Sequence, residues 1–215
     1  MRKRLALIVA VGTLAACGSN PPPPDWQLNA KAASERSTAA YLTGNARIDA
    51  AELACARAEV ARTGRADLLA RIELAHCAAQ VASLVFDACA GFEALRADAP
   101  APERVYADYI AGRVASGDVG LLPAAHRAVA INPTTLGGVS DPLSRLVAAG
   151  VLFETNRSDP TVIQVAIDTA SAQGWRRPLL AWLNLQLERA ESAGASNDAQ
   201  ELRRRIAIVE RGAAP

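Results

Sequence analysis

Asp141-Pro142-Leu143-Ser144-Arg145-Leu146-Val147-Ala148-Ala149-Gly150-Val151 decides how this chain is read. Its apolar residues Leu143, Leu146, Val147, Gly150 and Val151 fall at i, i+3, i+4, i+7 and i+8, the stripe of a helix with one face in a core. No run of β-branched residues with period two competes with it anywhere in the chain. Alanine is abundant and aromatic residues make up 4% of the chain, a composition that favours helix.

The same pattern extends in both directions, broken at short intervals by turn residues. Downstream, Ser158-Asp159-Pro160 starts a helix, with Asp159 as N-cap and Pro160 in the first turn; it runs to about Gln173 and stops at Gly174. Residues 176–193 and 197–211 form a last hairpin around Gly194-Ala195-Ser196-Asn197. Its second arm turns Ala199, Leu202, Ile206 and Val209 inward and Arg203, Arg204 and Arg205 mostly outward.

Upstream, helices are expected over residues 26–43, 47–62 and 66 to about 84, stopped in turn by Gly44-Asn45 and Thr63-Gly64. The third carries Leu68, Ile72, Ala75, Ala79 and Ala82 at helical spacing. A shorter helix follows Asp87 as N-cap and ends before Pro100. The next runs from Pro102 to about Ser116 with Gly117 as its stop, and another covers residues 120–131. Residues 132–140, with Pro133, Gly137 and Gly138, are expected to be a mobile loop. About ten helices in antiparallel pairs predict an all-α fold, stacked as an α-solenoid or a helical bundle.

The N-terminus is of another kind. Arg2, Lys3 and Arg4 precede an apolar stretch from Leu5 to Leu14, the order of an export signal. That stretch is about ten residues, half of what crosses a bilayer. Leu14-Ala15-Ala16-Cys17 at its end resembles the lipobox of bacterial lipoproteins. The resemblance implies a signal peptide over residues 1–16, cleavage before Cys17, and lipidation of Cys17 at its thiol and new amine. Gly18, Ser19 and Asn20 follow, with no retaining Asp, so the resemblance implies the outer membrane, facing the periplasm. Residues 17–25, with Pro21 to Pro24, form a stiff tether of polyproline character, and residues 26–215 form the periplasmic helical domain.

Loss of the signal leaves 20 of the 23 basic residues against 22 acidic ones, a net charge near −2. Such a balance argues against a nucleic-acid partner, which requires a concentrated basic surface. Arginine greatly outnumbers lysine, and Lys31 is the sole lysine after Cys17.

Ala40-Tyr41-Leu42-Thr43-Gly44-Asn45, followed by Ala51, Cys55 and Ala58, resembles a tetratricopeptide repeat: an aromatic, then Gly, then small residues on the second helix. It departs from that pattern in a longer turn and in lacking the closing proline. The hairpin after Gly174-Trp175 is similar in outline. The resemblance implies helix pairs that present a concave surface to partner segments.

Three cysteines follow Cys17, and an oxidising compartment pairs two of them. Cys77 with Cys89 is the preferred bridge. Cys55 with Cys77, placed at matched distances from the turn near Gly64, is the alternative.

Catalytic signatures are not found. The two histidines are His76 and His126. Glu73 and His76 have the i, i+3 spacing of half a di-iron site, but Pro123 stands where a second such pair would need its carboxylate, so Glu73 and His76 read as a solvated helix face. No nucleophile elbow, phosphate-binding glycine loop, haem-attachment motif or zinc spacing occurs, and no cofactor or metal is expected. Trp175, Arg176, Arg177 and Trp182 are residue types that anchor interfaces, though both Trp also suit an alanine-rich core. Tyr106 and Tyr109, on one face of their helix, pose the same choice. The expected function is a membrane-anchored protein-interaction or assembly adaptor of the cell envelope. The alternative is a binder of a small molecule or peptidoglycan fragment in a helical cleft, or a remote cell-wall enzyme.

Overall fold

A computed structural model describes residues 22–212. The expected signal peptide, the lipobox-like Leu14–Cys17 and the expected tether as far as Pro21 lie outside the described residues.

The described chain is all-α. Its helices are α1 (Asp25–Thr43), α2 (Ala46–Ala61), α3 (Ala66–Ala82), the single turn α4 (Ala90–Glu93), α5 (Ala101–Ile110), α6 (Ala124–Ile131), α7 (Pro142–Glu154), α8 (Pro160–Ala172), α9 (Arg176–Ser192) and α10 (Ser196–Arg211). Two 3₁₀ segments, η1 (Ser116–Leu121) and η2 (Pro133–Gly138), flank α6.

Local chemistry explains most of the boundaries. The carboxylates of Asp141 and Asp159 accept the backbone N–H of Ser144 and Val162, capping α7 and α8, each of which begins with proline. Asn45 does the same for Ile48 at the start of α2. Gly44 ends α1 in the left-handed conformation, φ 89°, which a residue with a Cβ adopts only at a cost.

Packing closes the helices on one another. The α1–α2 hairpin leans on α3, α3 packs on α7, and α7, α8, α9 and α10 follow in order; α9 then returns to α1. In an open solenoid each repeat touches only its neighbours, so the α9–α1 contact gives this fold the closure of a bundle. The core runs through α3, α7, α8 and α9, where Leu74, Leu146, Leu152, Ile163, Ile167 and Trp182 are buried. Gly150 sets the α3–α7 distance: a Cβ there would collide with the Val81 carbonyl, so only glycine permits this approach.

Five expectations are corrected. On α3 the buried residues are Ala70, Glu73, Leu74, Ala78, Ala79, Val81 and Ala82, so Ala79 and Ala82 are inside as expected, whereas Ala75 is exposed and Leu68 and Ile72 are half-buried. This helix is covered on two sides, by the α1–α2 hairpin and by α7, so its burial does not follow a single stripe. The cap of α4 is Cys89 and not Asp87. Helix α5 stops at Ile110 instead of Ser116, because Gly112 takes φ 69° and the Arg113 N–H closes on the Asp108 carbonyl at 2.7 Å. Residues 120–131 yield a helix only from Ala124, after Pro123. Within the loop expected over 132–140, η2 is ordered by the Asn132 side chain on the Thr134 N–H and by buried Leu136.

Candidate interaction face

Two polar or aromatic clusters stand out, each built around one histidine. The first joins α1, α2 and α3. Asp49 is 8% exposed; its Oδ1 accepts from the Ser37 hydroxyl at 2.7 Å, and its Oδ2 lies 3.3 Å from His76 Nε2. One turn away, Arg57 Nε and Nη2 donate to the two oxygens of buried Glu73 at 2.5 and 2.6 Å. The solvated face expected for Glu73 and His76 is therefore corrected: Glu73 is buried and paired, and His76 is half-buried. A buried carboxylate requires a partner, and α2 supplies one in Arg57. The order Ser37–Asp49–His76 places the acid between hydroxyl and imidazole, so the histidine does not reach the Ser37 proton, and Ser37 is itself buried.

This cluster continues to the tryptophan run. Tyr41 meets His76 edge to face, and Arg177 lies over the Tyr41 ring at 4.4 Å while its Nε donates to the Tyr41 carbonyl at 2.8 Å. Arg176 lies close to Gly44. Trp182 is fully buried, and its Nε1 donates to the Ala82 carbonyl at 3.1 Å. Trp175 is half-buried against the core. Of the residues proposed for partner contact, Trp182, Arg177 and Arg176 thus serve the junction of α9 with α1 and α3. Burial of Trp182 removes it from any docking surface.

The second cluster lies on α5 and α6. Tyr106 and Tyr109 stack with ring centroids 6.0 Å apart, and the His126 ring touches both, at 5.3 and 5.0 Å. His126 is 2% exposed and its Nδ1 has no partner among the described residues. Burial pushes its pKa down to about 4, against a smaller opposing effect of the Asp141 charge, so the imidazole is neutral at pH 7. Burial likewise raises both tyrosine hydroxyls above their usual range.

Tyr106 lines one open groove and Tyr109 a second, and His126 touches both rings. The larger, about 490 Å³, lies between α3, α5 and η1 over Leu74, Ala75, Tyr106 and Leu122. The smaller, about 400 Å³, has Tyr109, Val119, Val129 and Leu152 in its lining. Each has an exposed apolar lip, Leu121 (44% exposed) on the first and Ile131 (73%) on the second. Tyr109 itself is 1% exposed and belongs to a groove floor, so it is not the surface anchor its position on the helix suggested.

Cys77 and Cys89 stand at disulfide distance with Cα atoms 5.9 Å apart, joining α3 to the start of α4. The alternative partner Cys55 is exposed on α2 and unpaired among the described residues. Beneath the pair is a cavity of about 220 Å³ with Phe86 and Ile110 in its wall and Asp87, Glu93, Arg113 and Glu154 among its lining. No group of His, Cys, Asp and Glu suited to a metal occurs among the described residues.

The grooves escaped the sequence because their parts come from distant segments: Leu74 and Ala75 on α3, Tyr106 on α5, Leu121 on η1. Only Tyr106 and Tyr109 were legible, from their spacing. Comparison with known proteins adds no relative: no family model, no curated protein and no solved structure matches this chain.

Proposed function

We propose that this protein is a lipid-anchored adaptor of the bacterial envelope, held at the outer membrane through Cys17, whose helical domain docks a partner protein at the α5–α6 face. The observation that carries the docking reading is the pair of grooves with apolar lips at Leu121 and Ile131. Large apolar side chains left at the rim of a concave apolar surface are a feature of protein-binding sites. A tether of nine residues, Cys17 to Asp25, keeps such a face near the membrane, where raised local concentration makes a modest affinity sufficient. Among the described residues no helix is long and apolar enough to cross a membrane, so attachment in this reading rests on the lipid.

A second reading, a small-ligand binder, draws on the cavity beneath Cys77 and Cys89, which has carboxylates among its lining. The two readings separate in one experiment: purification of the full-length protein from solubilised outer membranes, with mass spectrometry of intact protein and of what accompanies it. The adaptor reading expects a diacylated or triacylated Cys17 and a stoichiometric protein partner. A Cys17→Ser chain that still labels with lipid and sediments with membranes would overturn the anchor, and a small molecule in place of a protein would favour the second reading.

A further inference from the structure

The tethered end of the domain has a surface of its own. Trp26, in the first turn of α1, is half-buried, yet among the described residues it packs against neither apolar cluster, whereas Trp175 and Trp182 belong to the core. Beside it an open groove of about 570 Å³ runs between the start of α1, the end of α2 and the start of α3, over Ala30, Val60, Leu68 and Ile72. Two residues beyond Trp26, Leu28 is half exposed to solvent.

The charges around this groove are layered. Arg65 pairs with Asp67 and Arg71 with Glu103, but each arginine side chain is more than half exposed while its carboxylate is mostly covered. The guanidinium groups therefore lie outermost. Lys31, also in the lining, is exposed and 3.8 Å from an equally open Glu35. An apolar floor is thus bordered by three accessible cations.

The position of the groove decides what covers it. Nine residues, Cys17 to Asp25, separate the expected lipid from α1, and fully extended they reach no more than about 30 Å. A lipidated Cys17 would keep Trp26 close to the headgroups. Tryptophan, with an apolar body and a polar tip, settles where acyl chains meet headgroups, and lysine and arginine side chains are attracted to lipid phosphates. A weak contact of this kind becomes effective once the lipid has brought the two surfaces together.

We infer that the groove at the start of α1 rests on the bilayer itself, with Trp26 and Leu28 at the upper ends of the acyl chains and Lys31, Arg65 and Arg71 on headgroup phosphates. The inference rests on lipidation of Cys17 and adds to it an orientation of the domain. Arg71 also lines the groove over Tyr106, so in this orientation the docking face adjoins the membrane.

The test uses the full lipidated chain, reconstituted into vesicles of phosphatidylethanolamine and phosphatidylglycerol whose acyl chains are brominated close to the headgroup. Bromine quenches a neighbouring indole. Wild type should lose about one third of its emission, the share of one tryptophan among three, and Trp26→Phe should lose almost none. Bromine placed at the far end of the acyl chain should quench less. Lys31→Gln combined with Arg65→Gln should cut the quenching about twofold while the chain stays on the vesicles. Quenching that survives Trp26→Phe, quenching indifferent to the loss of Lys31 and Arg65, or an anchored wild type without quenching overturns the inference and leaves the anchor standing. A chain that carries no lipid on Cys17 and does not join the vesicles removes both.

Discussion

The two histidines occupy opposite kinds of environment within one small bundle. Around His76, the buried carboxylates have partners: Asp49 holds Ser37 and His76, Glu73 holds Arg57, and Arg177 sits on Tyr41, while Arg176 Nε near Gly44 is the one polar atom buried there without a partner among the described residues. Around His126, aromatic rings do the packing and polar atoms are left over, at His126 Nδ1 and Glu103 Oε2. The first neighbourhood welds α1, α2, α3 and α9 together. The second lines two grooves open to solvent. A small domain that pairs its buried carboxylates at one junction yet leaves apolar lips and unpaired acceptors at another fits the proposal of stability for the first region and recognition for the second.

The contrast is sharpest in what mutation should do. Asp49→Ala strands Ser37 and His76 at a helix junction and leaves a small void. We expect a loss of about 3 kcal/mol in chemical unfolding of the full-length protein, the cost of removing one member of a buried polar pair. A loss below about 1 kcal/mol would mean that the network is not structural, and the division of labour would fail there.

His126 should make stability depend on pH. Its folded pKa is lowered to about 4 from 6.5, so between these values the unfolded chain binds a proton that the folded chain refuses. The stability it contributes is complete above pH 6.5 and is lost as pH falls toward 4. Integrated over that window, the effect is on the order of 3 kcal/mol as an upper bound, and about 2 kcal/mol after relaxation of the site. Unfolding of wild type and His126→Phe at pH 7.5, 5.5 and 4.5 isolates it, since other titrating groups cancel in the difference. Equal pH dependence in the two proteins would show that His126 is already charged or solvated in the fold.

Much of this architecture was legible in the chain. The cap Asp159, the stops at Gly44 and Gly174 and the stripe of α7 follow from local rules, and the structure places them accordingly; the preferred pairing of Cys77 with Cys89 over Cys55 with Cys77 also stands at disulfide distance. The failures lie where tertiary context overrode local pattern. Glu73 reads as solvated until Arg57, sixteen residues earlier on another helix, is seen beside it. Leu84 and Asn156 take positive φ at helix ends where glycine is the usual signal, so those turns gave no mark in the sequence. The candidate site was the least legible, because α3, α5 and η1 supply its walls from separate segments and no motif records their meeting.

The smallest stability effect is the most informative one. Leu121 is a groove lip at 44% exposure, while its neighbour Leu122 is fully buried beneath it. Leu121→Asp should therefore change folding free energy by no more than about 0.5 kcal/mol. The decisive measurement compares this full-length lipidated variant with wild type for both unfolding free energy and partner co-purification from outer membranes. Unchanged stability with loss of the partner is the expected result. Unchanged stability with the partner retained, or a destabilisation of several kcal/mol, would contradict the assignment of the α5–α6 face to recognition.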